Sequence, residues 1–429
     1  MKIIRVEFLH TDISFQLCLR RIKDTWIMKN FYSLSTGAAV ALTVLSAFSA
    51  CERVDYNETG REPVMSSIIS LPSVAQMISS LPLEEAQLAE VHDAVSASSG
   101  NGYDEEYTMG SILSSPGAGV GDDLKTRSAD RYGKPLRDLI AEYYRTHPFT
   151  KASSGPLGAE SILDSLSSSD LQIYWPWSGN WDGKTAPVVT FDPGDESTRN
   201  IGYERVTDSD GNVFLKVVLV DEEMARKRPV WVVNRNSDAG YKTIEMLLKE
   251  NPSWGEGGTV TIGGPTKSAV GNRSLVISDL KAFRNYDPWF AGGSEFFVKI
   301  GSVEDFKAST EEEMLRYSPS ITDFMVVVRR SQIGQTVPFK VVLVSDWTSQ
   351  LESCALMRSE DDGGTRTEWK GSATVKVQSK SYGFDISIPF NSRDDIVWRG
   401  RLARSFLEAY SDNPARFGDI ELTFSIVDK

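Results

Sequence analysis

The sequence predicts a mainly β protein with a helical N-terminal region, an α+β chain of several domains that ends in an antiparallel β-sandwich. Three observations predict it. The apolar period is helical up to about Ser168 and changes to two from Leu171 onward. Turn residues cut the second half into short strands at a spacing suited to a sandwich, with an immunoglobulin-like topology among those it fits. At 429 residues the chain exceeds one ordinary core, so more than one domain is expected.

Residues 1–50 have the layout of an export signal. From Met28 onward, Lys29 supplies a positive start, Phe31 to Phe48 is an uncharged apolar stretch, and Ser49 and Ala50 are small. Residues 1–27 precede a complete signal with its own methionine, so the expected start is Met28. Phe48-Ser49-Ala50-Cys51 resembles the lipobox of bacterial lipoproteins, although Phe48 stands where that pattern usually has leucine. The resemblance implies cleavage before Cys51, an acyl-bearing lipid on its thiol, and an exported chain held at the outer membrane, on its periplasmic or outer side. A membrane-spanning helix is the rival reading, disfavoured by the small and polar run Ser35 to Ala39. Residues 51–62 are polar and without apolar period, a flexible tether.

Residues 63–168 carry helical patterns. Leu83, Ala86, Leu88, Val91 and Val95 make one apolar stripe that stops at Gly100, and Leu136, Leu139, Ile140 and Tyr143 make another. A third helix is predicted at 160–166. The next region, 169–302, is β-rich, with strands expected at 171–175, 187–191, 212–220, 228–234, 259–263, 274–283 and 295–300. Asp210-Gly211 signals a tight hairpin turn. Residues 303–319 read as a helical linker that breaks at Pro319, and 320–429 as the sandwich, with 361–367 as a turn.

Charge and composition exclude several function classes. The net charge is −13, and residues 1–50 hold more basic than acidic groups, so the exported body is more acidic still. An acidic body repels phosphate backbones, and no nucleic-acid partner is expected. If Cys51 is acylated, Cys354 stands alone, and neither a disulfide nor a Cys-x-x-Cys metal site can form. His92 and His147 are expected to be structural, the latter at a helix C-terminus. With no His-dependent triad, zinc motif or phosphate loop, neither a metal nor a cofactor is predicted, and catalysis is not the expected role.

Several features nevertheless invite chemistry. Asp104-Glu105-Glu106 is an acidic loop beside aromatics, although charge runs are usually solvated. Asp208, Asp210 and Asn212 resemble part of a calcium loop, but Gly211 is out of place for one and a hairpin turn is the simpler reading. Asp192, Asp195 and Glu196 form a similar weak cluster. Gly117 to Gly121 is glycine-rich, yet no strand precedes it and Asp122 and Asp123 follow, so a flexible loop is expected. The best binding feature is 173–183, IYWPWSGNWDG. Trp175 and Trp177 share strand parity, so both rings are expected on one face. With Trp181 they would form a platform for sugar C–H faces, and Asn180 and Asp182 would reach the hydroxyls. Trp254 and Trp289 also lie beside turn residues. The alternative is that all of these rings are core.

The signal, together with SGNGYDEEYTMG and DLQIYWPWSGNWDG, resembles secreted lipoproteins of the Bacteroidetes type. That family carries no assigned activity, so the resemblance speaks to compartment alone. The leading expectation is a non-catalytic, lipid-anchored envelope or surface binding protein whose partner is a glycan or an envelope protein. It predicts exposed, coplanar tryptophans. A carboxylate-dependent hydrolase would instead show an acidic pair in a cleft. A structural or adhesion subunit would show an exposed apolar patch or an open edge strand.

Overall fold

The computed structural model describes residues 68–114, 132–147, 150–151, 155–156, 158–195, 197–237, 241–251, 273–362 and 364–428. The expected signal, Cys51 and the tether lie outside the described residues, as do the 117–121 loop, Glu196, Trp254 and the strand expected at 259–263.

Helices α1 (Leu71–Ser80) and α2 (Glu85–Gly100) come first, followed by β1 (Glu106–Thr108) and α3 (Met109–Leu113). Pro72 sits in the first turn of α1, where its missing N–H is no loss. A reciprocal cap starts α2, the Gln87 side chain accepting from the Glu84 N–H at 2.9 Å. Then follow α4 (Leu136–Thr146), the short hairpin β2 (Thr150–Lys151) and β3 (Gly155–Pro156), and α5 (Ala159–Ser167). His147 caps α4, its ring stacked on Tyr143 at 4.4 Å.

The first large sheet contains β4 (Leu171–Tyr174), β5 (Val188–Phe191), β6 (Arg199–Thr207), β7 (Val213–Asp221) and β8 (Val230–Arg235), with α6 (Glu222–Lys227) between the last two. Its order is β1-β4-β8-β5-β6-β7, antiparallel except for the β5–β8 pair. Helices cover one face, where Met77, Leu88, Val91, Ile140 and Leu166 pack on Trp175, Val189, Trp231 and Val233. The opposite face presents Tyr174, Val188, Val220, Val230 and Val232 to Ala225, Trp289 and Phe290.

Two antiparallel sheets enclose the second core. After α7 (Ile244–Glu250) come β9 (Arg273–Ala282) and β10 (Ser294–Ser302), the single-turn helix α8 (Glu311–Met314), β11 (Ser320–Val328) and β12 (Val337–Val344). The remainder is β13 (Leu351–Glu360), β14 (Arg366–Val377), β15 (Lys380–Asn391), β16 (Asp395–Ala403), α9 (Arg404–Ala409), β17 (Pro414–Phe417) and β18 (Ile420–Asp428). One sheet runs β11-β10-β13-β14-β15 with β16 on the other side of β13, and its partner runs β12-β9-β18-β17. Their shared core joins Phe296, Val298, Ile300 and Leu356 to Leu275, Ile277, Leu422 and Phe424.

Three expectations change here. Strands β9 and β10, read from the sequence as part of the 169–302 region, pair with β12, β18, β11 and β13, so the sandwich begins at Arg273. The linker at 303–319 contains only α8 and connects two strands that are themselves paired over nine positions. Strand β13, the centre of its sheet, was not anticipated. It is buried on both faces, so it lacks the alternation that marks half-buried strands.

Candidate functional site

The tryptophan segment folds into a corner instead of a platform. Strand β4 ends at Tyr174, and Trp177 adopts the left-handed region at φ 56°, which breaks the period-two alternation. Trp175 therefore enters the helix-side core while Trp177 packs on the opposite core. Trp175 is 1% exposed and meets Trp181 at 67° and Trp231 at 60°, edge-on packing typical of cores. His92 covers both Trp175 and Trp181, with centroids 5.7 and 5.2 Å away. The guanidinium of Arg226 lies over the half-buried Trp177 ring at 5.2 Å.

Asn180 is exposed, but the Asp182 carboxylate is engaged within its own turn. It accepts from the Lys184 N–H at 3.0 Å, the Thr185 N–H at 2.8 Å and the Thr185 hydroxyl at 2.7 Å, which hold it down at about 2. All five predicted residues border one cavity of about 160 Å³. That is smaller than the roughly 300–1,000 Å³ of small-molecule sites. The expected exposed, coplanar platform is thus replaced by Trp175 and Trp181 packed edge to face, with Trp177 on the opposite core, around a small recess.

The acidic loop expected to be solvated is buried. Asp104, Glu105 and Glu106 are 4%, 6% and 9% exposed. Glu105 closes the Trp177 turn, accepting from the Trp177 N–H at 3.1 Å and from the Ser178 N–H and hydroxyl at 2.9 and 2.8 Å. Burial, reinforced by the adjacent Asp104, pushes the Glu105 carboxyl up to about 7 despite these donors. Asp104 reaches across to the sandwich and accepts from Gly293.

Gly293 ends a loop, 283–293, that docks the sandwich onto the first sheet. The Trp289 indole donates to the Thr198 carbonyl at 3.0 Å, and the Asn234 amide donates to the carbonyls of Phe290 and Ala291. A Cβ on Gly293 would stand 2.9 Å from the Val328 carbonyl oxygen, so the strand end tolerates only glycine there. Arg330 ties the loop down by donating to the carbonyls of Asp287 and Gly292 at 3.2 Å, and its guanidinium also meets Glu222 at 3.4 Å.

A wide cleft of about 1,200 Å³ opens beside this loop. Eight carboxylates and three arginines line it among the described residues, so its field is negative. Asp192 and Asp195, weak calcium candidates by sequence, lie in its wall, but each accepts from a nearby backbone N–H, of Gly194 and Ser197. Asp208 likewise accepts from the N–H groups of Asp210 and Asn212, in line with the hairpin reading.

The densest carboxylate group was not anticipated. Asp287 from the docking loop, Glu295 on β10 and Glu360 on β13 each bring one oxygen within 4.8 Å of the others. Burial raises Glu360 and Asp287 above the usual carboxylate range; the contact between the two carboxyls raises Glu360 further and holds Asp287 lower. No motif could have revealed this set, since Glu360 lies on the strand that sequence periodicity missed. Cys354, on the same strand, is fully buried, and burial pushes its thiol up to about 12. A thiol so protonated is no nucleophile.

Comparison of the chain with protein-family models, with curated proteins and with solved structures finds no match.

Proposed function

We propose that the chain is a non-catalytic, lipid-anchored envelope protein that engages another protein by strand addition at β7. The observation that carries this reading is the β6–β7 ribbon. Strand β7 pairs with β6 alone among the described residues, leaving one edge of nine residues open. Along that edge Val213, Phe214, Val217 and Leu219 are exposed, at 49%, 49%, 61% and 59%, and Ile201 lies opposite Leu219. Soluble proteins normally protect such edges with charges, prolines or covering segments, and here Lys216 is the one charge between Val213 and Val220. An extended, apolar segment of a partner would satisfy the free backbone groups and cover the stripe, the geometry of β-augmentation.

The rival expectations receive less support. A glycan platform needs the open rings that Trp175 and Trp181 do not present. A hydrolase needs an accessible acid pair, whereas Glu360 is fully buried and Glu105 is engaged by the Trp177 turn. Export and the anchor on Cys51 rest on the signal and lipobox pattern alone.

The test is a photo-crosslinking residue placed at Val217 in the full chain in its native envelope, with Lys370 as an exposed control. The expected result is one dominant protein adduct at Val217, absent at Lys370 and lost in a Val213→Lys/Leu219→Lys chain. Adducts at Val217 no stronger than at Lys370 would remove the proposal. Adducts only between copies of this chain would replace the foreign partner with self-assembly.

A further inference from the structure

We propose that Asp287, Glu295 and Glu360 form a binding site for one calcium ion at the inner end of the acidic cleft. Acidic clusters on protein surfaces are common and need no ion. What distinguishes this one is Glu360, which is 0% exposed and has no hydrogen-bond donor on either oxygen. Oδ2 of Asp287 is buried and lacks a donor as well. A carboxylate removed from water without donors costs several kcal/mol, so a proton or a cation must compensate it.

Arg330 lies beside the loop, but its guanidinium donates to the Asp287 and Gly292 carbonyls and meets Glu222, not the Asp287 carboxylate. Calcium is the cation whose chemistry fits. It takes about six to eight oxygens at roughly 2.3–2.6 Å, so oxygens on opposite sides of the ion stand about 4.6–5.2 Å apart. The three carboxyl oxygens all lie within 4.8 Å of one another, inside that span, so one ion can touch all three. Magnesium demands near-ideal octahedral geometry and gives up its waters reluctantly, which suits a set drawn from a loop and two strands less well. Asp287 also lines the open cleft, which offers a route for the ion and water to complete its shell.

The site joins the docking loop to two strands that already pair with each other. Asp287 belongs to the loop that inserts Trp289 and Phe290 under the first sheet, while Glu295 and Glu360 belong to neighbouring sandwich strands. A bound ion would therefore lock the docking loop to the sandwich. This assignment stands apart from the strand-addition proposal and survives its failure.

The test is calorimetric titration of the chelator-treated full-length chain in detergent with calcium chloride at neutral pH, with thermal unfolding followed in parallel. One saturable site and a calcium-dependent rise in Tm are expected, with magnesium at the same concentration giving weaker binding. Glu360→Gln and Asp287→Asn should each weaken calcium by more than the roughly 10–100-fold that loss of an outer-shell partner costs. Glu311→Gln, remote beside Lys380, should leave it unchanged. If Glu360→Gln fails to fold, Asp287→Asn carries the test. No calcium binding by the folded chain, or binding retained in Asp287→Asn, would overturn the site. So would an infrared band of a protonated carboxyl that persists in saturating calcium and vanishes in Glu360→Gln, because a shared proton would then hold the pair.

Discussion

Asp104 accepts a 2.6 Å hydrogen bond from the Gly293 N–H, a residue 189 positions later, and this bond ties the helical N-terminal region to the loop that leads into β10 of the sandwich. Asp104 is fully buried, and burial raises its carboxyl despite this donor and the Glu105 N–H. Its neighbour Glu105 responds in the same direction, and a pH dependence follows.

The Glu105 carboxyl stands at about 4.5 when unfolded and about 7 when folded. The folded state therefore binds more protons in that interval, so this contribution is present below pH 4.5 and lost as the pH rises through 7. The expected outcome is a chain more stable at pH ~5.5 than at ~7.5, by up to a few kcal/mol. Glu105→Gln keeps an acceptor for Ser178 but cannot titrate, and should flatten part of the slope. Urea midpoints for both chains across that range decide it. An unchanged slope in the variant would assign the effect to other acids.

Arg330 is 10% exposed at its side chain and anchors the docking loop through carbonyls of Asp287 and Gly292. Arg330→Ala should cost about 3–5 kcal/mol, as expected for removing one partner from a buried charged network. Arg330→Lys should recover only part of that, because an ammonium cannot reproduce the planar fork. Denaturant midpoints at constant m-value measure both. A loss below about 1 kcal/mol in the alanine variant would show that the loop is held mainly by Trp289 and Phe290.

The two tryptophans of the WPW motif should behave differently. Trp175→Ala empties a site packed against His92, Trp181 and Trp231 and should cost about 3–5 kcal/mol. Trp177→Ala, half-buried beneath Arg226, should cost clearly less. Thermal unfolding of the two variants tests the ranking, and equal losses would contradict the burial assignment.

Arg358 is fully buried between Val298 and Trp398 of the flanking strands, and none of its three nitrogens has a hydrogen-bond partner. Burial depresses it to about 9. An apolar residue of similar length removes that desolvation, so Arg358→Met should be neutral or should stabilise the chain by about 1–4 kcal/mol. A destabilised Arg358→Met chain in a denaturant titration would mean that the guanidinium has an essential partner.

Much of the secondary structure was legible from local pattern. The stripe Leu88, Val91, Val95 and the Gly100 stop placed α2, and Asp210-Gly211 placed the turn that joins β6 to β7. Strand β7 was clear from its Val and Leu content, yet its exposure was not, because alternation reports which residues share a face and not what covers that face. Strand β13 escaped because burial on both faces erases alternation, and its Ser, Cys, Arg and Glu residues have little strand preference. The acidic loop at Asp104 was misjudged for a related reason. Charge normally predicts solvent, and only distant donors such as the Gly293 and Ser178 N–H groups make its burial tolerable.

By itself the sequence determined the succession of helices and then strands, the mainly β class, and the residues that carry acid and aromatic chemistry. These follow from periodicity, turn chemistry and side-chain type, which act over a few residues. Only the tertiary structure decided that Trp175 and Trp177 face opposite cores, that β9 and β10 belong to the sandwich, and that Asp287, Glu295 and Glu360 meet. Each of those outcomes depends on which strand pairs with which and on how closely a turn can approach a distant backbone. Such choices are set by burial of the whole chain, and no local window contains them.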